Sequence, residues 1–238
     1  MIRKKSDLWR LNQIIKNIKL HVGNIEDKQK LSEIVKKINP NYIIHLASYG
    51  NTSLENNLGL MVNINIVGLK NLLEASENVN YKSLIISGSS SEYGFKNKPM
   101  SETDFLLPNS YYSATKGCAT LIAQSYAFKK NKPISILRLF SVFGPFEEKN
   151  RLIPAVITKA LRQEKIFITS GNIRRDFIFI DDVVNAFYNA MKIVPGSGEI
   201  INIGDPNEKT IFEIADIIKK LSRSKSEIVF KTIGADDP

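Results

Sequence analysis

The chain has almost nothing from which to build a metal centre or a histidine-driven catalytic triad. Its 238 residues include one cysteine, Cys118, and two histidines, His21 and His45, so zinc chemistry and an internal disulfide are both excluded. No apolar run of about 18 residues or more occurs, and no membrane span is expected. The basic start Met1-Ile-Arg-Lys-Lys-Ser-Asp7 leads into no apolar stretch of the kind a signal peptide needs, so the expected location is the cytoplasm. Glycine is missing from a telling place. A doubly wound nucleotide-binding sheet opens with a strand, a glycine-rich turn and a helix, yet the first glycine here is Gly23 and no Gly-x-x-Gly-x-x-Gly spacing occurs anywhere.

What is present describes a globular α/β protein. A hydrophobic content of 43% over this length can bury a sizeable core, and one domain with a small attached lobe is the expected organisation. The net charge of +9 suits anionic partners such as nucleotides and phosphates. It is spread over short runs, among them Arg3-Lys4-Lys5, Lys36-Lys37, Lys129-Lys130 and Lys219-Lys220, and no basic segment interleaves aromatics as a base-stacking surface does, so nucleic acid is not an expected partner.

Strand-length apolar runs alternate with segments of helical period, the signature of repeated βα units and a parallel sheet. The pattern predicts strands at Ile18 to Val22, Tyr42 to Ala47, Ser83 to Ser87 and Ile134 to Phe140. Helices are predicted at Asp27 to Ile38, Asn56 to Glu77 and Ser110 to Phe128. After Pro145 the signals mix: a helix at Pro154 to Gln163, a strand at Ile166 to Thr169, then Phe177 to Ile180 running into a helix that Asp181 or Asp182 could cap. A strand at Glu199 to Ile203, a helix at Thr210 to Leu221 and an apolar piece at Ile228 to Phe230 follow.

The chemistry-bearing feature is Tyr112-Ser-Ala-Thr-Lys116 together with the serine cluster Ser87-Gly-Ser-Ser-Ser-Glu-Tyr-Gly94 at a strand end. Residues four apart on a helix share a face, so the Lys116 ammonium can reach the surroundings of the Tyr112 phenol. A tyrosine that exchanges protons at neutrality needs its ordinary pKa of about 10 lowered by about three pH units, roughly 4 kcal/mol of preferential phenolate stabilisation, part of which a nearby ammonium supplies. A serine hydroxyl at the strand end could hold the oxygen of an alcohol or carbonyl meanwhile. The bare Tyr-x-x-x-Lys is equally a surface helix with an amphipathic tyrosine and a solvated lysine, because eight tyrosines in a lysine-rich chain make chance matches common.

Six ordered motifs resemble the extended short-chain dehydrogenase/reductase family, in its branch of NAD(P)-dependent nucleotide-sugar epimerases, dehydratases and 4-ketoreductases. They are His45-Leu-Ala-Ser48, Asn63-Ile-Asn-Ile-Val-Gly68, Ser89-Ser-Ser-Glu-Tyr-Gly94, Tyr112-Ser-Ala-Thr-Lys116, Leu137-Arg-Leu-Phe-Ser-Val-Phe-Gly-Pro145 and Arg175-Asp-Phe-Ile-Phe-Ile-Asp-Asp182. The resemblance implies a Rossmann-like doubly wound parallel sheet without its first βα unit, with a small mixed α/β substrate lobe. Residues 1–145 would form the NAD(P)-binding part and 146–238 mainly the substrate lobe, with some strands returning to the sheet. It implies Tyr112 as catalytic acid/base, Lys116 as the cation that favours its phenolate and holds the nicotinamide ribose, and Ser89 as the hydroxyl on the reacting oxygen, with Ser90 as the alternative. Asn24 and Ile25 stand where the family meets adenine, Leu46, Ala47 and Asn65 would line the cofactor, and Arg175 would hold the diphosphate of a nucleotide-sugar, with Asp176 as a competing surface partner. Ser141 replaces the family's usual Asn and Phe143 its usual Tyr near the substrate. Arg3, after an apparent strand end, could pair with the 2′-phosphate of NADP, which is therefore favoured over NAD. A homodimer through the Asn56–Glu77 and Ser110–Phe128 helices is implied as well. The family's opening strand, glycine turn and helix have no counterpart before Ile18, and Asp236-Asp-Pro238 falls where family members continue, so the chain reads as a fragment or truncated product. A non-catalytic remnant or nucleotide sensor of the same fold is the alternative.

Overall fold

The computed structural model describes residues 1–52, 55–168, 173–193 and 198–230. Thr169 of one expected strand and the terminal Asp236-Asp-Pro238 lie outside the described residues. The chain divides into two compact units: Met1–Leu139 with Asn185–Asn202, and Phe140–Val184 with the segment from Ile203 onward.

The first unit opens with turns at Trp9–Leu11 and Ile15–Asn17, then α1 (Lys28–Ile38), β1 (Tyr42–His45), α2 (Leu58–Met61), a π-helical turn (Val62–Val67) and α3 (Gly68–Ala75). β2 (Ser83–Ser89), α4 (Tyr111–Lys130) and β3 (Ile134–Leu139) follow. The helix ends are chemically specified. The Asp27 carboxylate accepts from the Lys30 N–H ahead of α1, and the αL residues Asn39 and Asn131 stop α1 and α4.

The remaining elements are β4 (Ser141–Phe143), α5 (Leu152–Leu161), β5 (Ile166–Ile168), β6 (Arg174–Arg175), β7 (Phe177–Phe179), α6 (Ile180–Lys192), β8 (Glu199–Ile203), β9 (Lys209–Thr210), α7 (Ile211–Leu221) and β10 (Ile228–Phe230). One four-stranded sheet runs in the order β1-β2-β3-β8, with β1, β2 and β3 parallel in a register that sets Ile44 beside Ile85 and Ile86 beside Ile136. In the second unit β4 pairs with β7 and β5 with β10, both parallel, and β6 with β9 antiparallel. This is the expected Rossmann-like α/β architecture.

β2 is buried along nearly its whole length, as a central parallel strand covered on both faces must be. Leu84, Ile86, Ile134 and Ile136 pack with Leu69, Leu72 and Leu73 of α3 and with Ala119, Ala123 and Ala127 of α4. Each fully buried aliphatic side chain there contributes about 1.5 to 3 kcal/mol. The alanines keep one face of α4 low enough to lie close upon the strands. A second core in the other unit joins Val156 and Ala160 of α5, Ile166 and Ile168 of β5, and Ile211 and Ala215 of α7.

Several boundaries differ from the sequence reading. The strand expected at Ile18 to Val22 shrinks to a single parallel bridge between Val22 and Ile2, closed by Ile2 N–H to the His21 carbonyl and Gly23 N–H to that of Ile2. Its apolar side chains Ile18 and Val22 are exposed, so no core rewards a longer ladder. The long helix expected from Asn56 to Glu77 contains the π turn, β2 extends to include Ser89, and α5 begins at Leu152, with Pro154 inside its first turn where a missing N–H costs nothing. Asp181 and Asp182 lie within the first turn of α6 rather than ahead of it.

Gly94 ends the turn after β2 with φ +69°, and a Cβ built on it would stand 1.9 Å from the Leu107 carbonyl oxygen. Both the left-handed backbone and the contact demand glycine. Gly94→Ala is therefore expected to lower unfolding stability by at least about 2 kcal/mol. A urea melt placing the variant within about 0.5 kcal/mol of the parent would contradict this account.

Candidate active site

Ser89 is the last residue of β2, with extended backbone, and Ser90–Tyr93 turn away from it as one 3-10 turn. Its Oγ accepts from the Ser91 N–H at 3.3 Å and lies 2.8 Å from Ser91 Oγ, while its own N–H donates to Glu92 Oε1 at 2.8 Å. Ser89 and Ser90 are both partly exposed, so the hydroxyls at this strand end are accessible.

α4 begins at a capping box in which Ser110 Oγ accepts from the Ser113 N–H. Tyr112 occupies the first turn and is partly exposed. Lys116, one turn on, is 5% exposed, and its Nζ donates to the Ser87 carbonyl at 2.5 Å. An ammonium has three N–H donors, and this bond uses one of them. Burial pushes the Lys116 pKa below the ordinary lysine range, opposed by the charge of Glu92. One further turn along, Thr120 Oγ1 donates to Glu92 Oε2 at 2.9 Å. Two successive turns of α4 are thus tied to the carboxyl end of β2, the end at which α/β folds place their chemistry.

Asn65 sits buried in the π turn. Its Oδ1 accepts from the Tyr49 N–H, and its Nδ2 donates to the Tyr49 carbonyl and to Thr115 Oγ1. Both amide N–H donors are therefore committed to the segment after β1 and to α4, which makes Asn65 a brace between them. A π turn here follows the tendency of such turns to mark working sites.

The other expected cofactor residues are placed as follows. Leu46 is 60% exposed and Ala47 is exposed, just past the carboxyl end of β1. Asn24 is exposed, with its Nδ2 donating to Glu26 Oε2 at 2.7 Å. Ile25 turns its side chain into the core, where a Cβ on Gly68 would come within 2.7 Å of its Cγ2, so only its backbone can face a ligand. Arg3 is exposed, and its N–H donates to Ser6 Oγ. In the second unit, Ser141 N–H donates to the Asp176 carbonyl. Arg175 is exposed on β6, and its pKa is lowered by the protein flanking the guanidinium and then by the neighbouring charge of Arg151. The Asp176 carboxylate accepts from the Asp205 N–H at 2.6 Å and packs against Gly204.

Arg138 escaped the sequence reading as a site residue. It is 2% exposed in β3, donates through Nε to Glu92 Oε2 at 2.9 Å and through Nη1 to Tyr93 Oη at 2.7 Å, and lies 4.5 Å from the Tyr93 ring centroid. Tyr93 in turn donates to Asn202 Oδ1 at 2.7 Å. The available signal was an arginine within the apolar strand Ile-Ser-Ile-Leu-Arg-Leu139, since a buried guanidinium requires a partner.

A parallel sheet with a buried lysine and a serine cluster at its strand ends defines a Rossmann-like site of the short-chain type. A sequence profile of the NAD dependent epimerase/dehydratase family matches residues 3–204, and the chain belongs to that family. It is 33% identical over 227 residues to a UDP-glucuronate 4-epimerase of Thermodesulfobacterium geofontis, covering 92% of this chain and 69% of that protein. It is 32% identical over 223 residues to a dTDP-D-glucose 4,6-dehydratase of Dictyostelium discoideum, covering 86% of this chain and 50% of that one. The chain thus spans half the length of the latter relative. The crystal structure of UDP-glucuronic acid 4-epimerase from Bacillus cereus in complex with NAD superposes with a TM-score of 0.84 at 26% identity, covering 94% of this chain and 73% of that one. Among the described residues no helix is long and apolar enough to cross a membrane.

His45, at the end of β1, is buried, and its pKa falls from 6.5 to about 3 through desolvation and then the charge of Lys116. Below pH 6.5 the unfolded chain takes up a proton that the folded chain refuses, so this contribution to stability is complete above 6.5 and declines as pH falls toward 3. The loss is about 1.4 kcal/mol per pH unit over that window. Urea melts at pH 7 and pH 5 should show a shallower acid loss in His45→Gln than in the parent, and equal losses would refute the neutral, buried imidazole.

Proposed function

We propose that the protein is an NAD(P)-dependent nucleotide-sugar oxidoreductase in which Tyr112, Lys116 and Ser89 move a proton at a sugar hydroxyl. The observation that carries this reading is Lys116, a buried ammonium on the Ser87 carbonyl two residues before Ser89 and one helical turn after Tyr112. A phenolate at Tyr112 takes the proton of the sugar hydroxyl as the carbinol carbon becomes a carbonyl, and returns it in the reverse direction. The Ser89 hydroxyl holds the reacting oxygen, and the Lys116 ammonium favours the phenolate and holds a ribose. A bound nicotinamide supplies the acceptor and donor of hydride.

The residues present fit the nicotinamide end of such a cofactor, because Lys116, with three N–H donors, stands on the Ser87 carbonyl two residues before the partly exposed Ser89 and Ser90. The diphosphate end is less well served, since the 238 residues contain no Gly-x-x-Gly-x-x-Gly turn. The named relatives act on UDP- and dTDP-linked sugars, which supports a nucleotide diphosphate sugar as substrate, with Arg175 on its diphosphate and Ser90 and Ser141 near its sugar. Epimerisation and dehydration share this first oxidation, and net reduction runs the same step in reverse. Arg3 supports NADP over NAD. The exposed Leu121 of α4, beside Cys118, Ile122 and Tyr126, supports a homodimer through that helix.

Tyr112→Phe removes only the ionisable oxygen. Turnover of UDP-glucose or UDP-glucuronate with NAD or NADP should fall at least 100-fold or so while sugar-nucleotide binding persists. Activity within about tenfold of the parent would remove Tyr112 from the reaction.

A glycine turn contributes several charge-assisted hydrogen bonds to a dinucleotide, each about 1.5 to 3 kcal/mol, so this chain is expected to bind NAD or NADP more weakly than micromolar, NADP the better. Calorimetry measures both. A dissociation constant at or below about micromolar would place a phosphate site elsewhere in the chain, and equal affinities would remove the role of Arg3. Sugar-nucleotide binding without turnover would favour a non-catalytic sensor of the same fold.

A further inference from the structure

Glu92 is a fully buried carboxylate that does not itself react in the scheme above, yet every group around it belongs to the site. Its Oε1 takes the Ser89 N–H, and its Oε2 takes both the Thr120 hydroxyl and the Arg138 Nε–H. Gly88 makes room for it: a Cβ there would lie 2.9 Å from Arg138 Cγ and 3.1 Å from Glu92 Oε1. The three bonds join the end of β2, the third turn of α4 and β3, all within the first unit.

We propose that Glu92 is the positioning residue of the site: one buried carboxylate fixes the Ser89 turn, ties it to α4 and supplies the counter-charge for Lys116. The inference rests on the roles given above to Ser89 and Lys116. Three hydrogen bonds to one carboxylate leave it little freedom, so the backbone that aims the Ser89 hydroxyl inherits the position of α4 through Thr120. The charge neighbours of Lys116 are His45 at the end of β1, held neutral by burial, and Glu92 beyond β2, with Tyr112 one turn before it on its own helix and the Arg138 guanidinium bonded to Glu92. Among these, Glu92 is the group whose charge favours the ammonium. Were it merely a partner for Arg138, neutralising it would weaken the fold but leave the titration of Lys116 where it is.

The test is a lysine-selective 13Cε NMR titration of the parent and of Glu92→Gln, with Lys116 assigned from the signal lost in Lys116→Met and the exposed Lys130 as internal control. The Lys116 midpoint should fall by about one pH unit or more in Glu92→Gln while Lys130 is unmoved. A folded Glu92→Gln whose Lys116 midpoint stays within about 0.3 pH unit of the parent overturns the counter-charge role. Thr120→Val keeps all three charges and removes one bond to Glu92. Exchange of the Ser89 amide should speed up about tenfold in it, and unchanged exchange overturns the tie to α4. If Glu92→Gln fails to fold, the Thr120→Val result decides the proposal. Neither readout uses turnover, so an inactive parent that still shows both effects rejects the proposed reaction and keeps Glu92 in this role.

Discussion

Lys116 carries an ammonium group where water scarcely reaches, and much of the first unit is arranged around the cost of putting it there. Taking an ion of that size out of water costs several kcal/mol even after the protein relaxes. The structure offsets the cost with a backbone carbonyl at 2.5 Å and an opposite charge at Glu92, and it keeps the neighbouring His45 uncharged. Each device constrains something else. The carbonyl belongs to Ser87, which fixes α4 against β2. Glu92 requires Arg138 and Thr120 to satisfy its own oxygens, and Arg138 draws in Tyr93 and, through it, Asn202.

The close packing of α4 makes this possible. Ala119, Ala123 and Ala127 present methyl groups to the core, so the helix can approach the strands near enough for Lys116 and Thr120 to reach the end of β2. A bulky residue at Ala123 would lift the helix and lengthen every polar contact along it. The amphipathic pattern of α4 is accordingly weak by sequence, with small and hydroxylated residues on its buried side rather than Leu and Ile. The site and the core share that face.

Where a segment was long or bounded by clear end signals, the sequence alone located it. α1, α4, α7, β2 and β3 fall close to their expected positions because α1 and α7 have a clear apolar stripe, capping residues bound α4, and β2 and β3 are apolar runs. The two- and three-residue strands β4, β6 and β9 were missed, since so few residues have no period to read. The Ile18 to Val22 segment has a strand-like composition that pairing does not use. At the site, what could be read from the sequence is placement: Tyr112 and Lys116 one turn apart on a helix, and Ser89 at a strand end. The commitment of Asn65 to Tyr49 and Thr115, and the dependence of Ser89 on Glu92, could not, because both are contacts between distant parts of the chain that local propensity does not encode.

The π turn at Val62–Val67 gives the helix that carries Asn65 a wider winding than its flanks. Such a turn holds one residue more than a regular helix would, and its wider winding absorbs the surplus. Excising a single residue from it would restore regular winding and leave α3 facing nearly the same way, because the tighter turn covers the same arc with one residue fewer. The apolar stripe of Leu69, Leu72 and Leu73 would then stay on the strands, while the widened backbone that carries Asn65 to Tyr49 and Thr115 would be lost. The extra residue therefore serves the brace at Asn65 and not the packing of α3, and a segment one residue shorter could keep this core while giving up that tie.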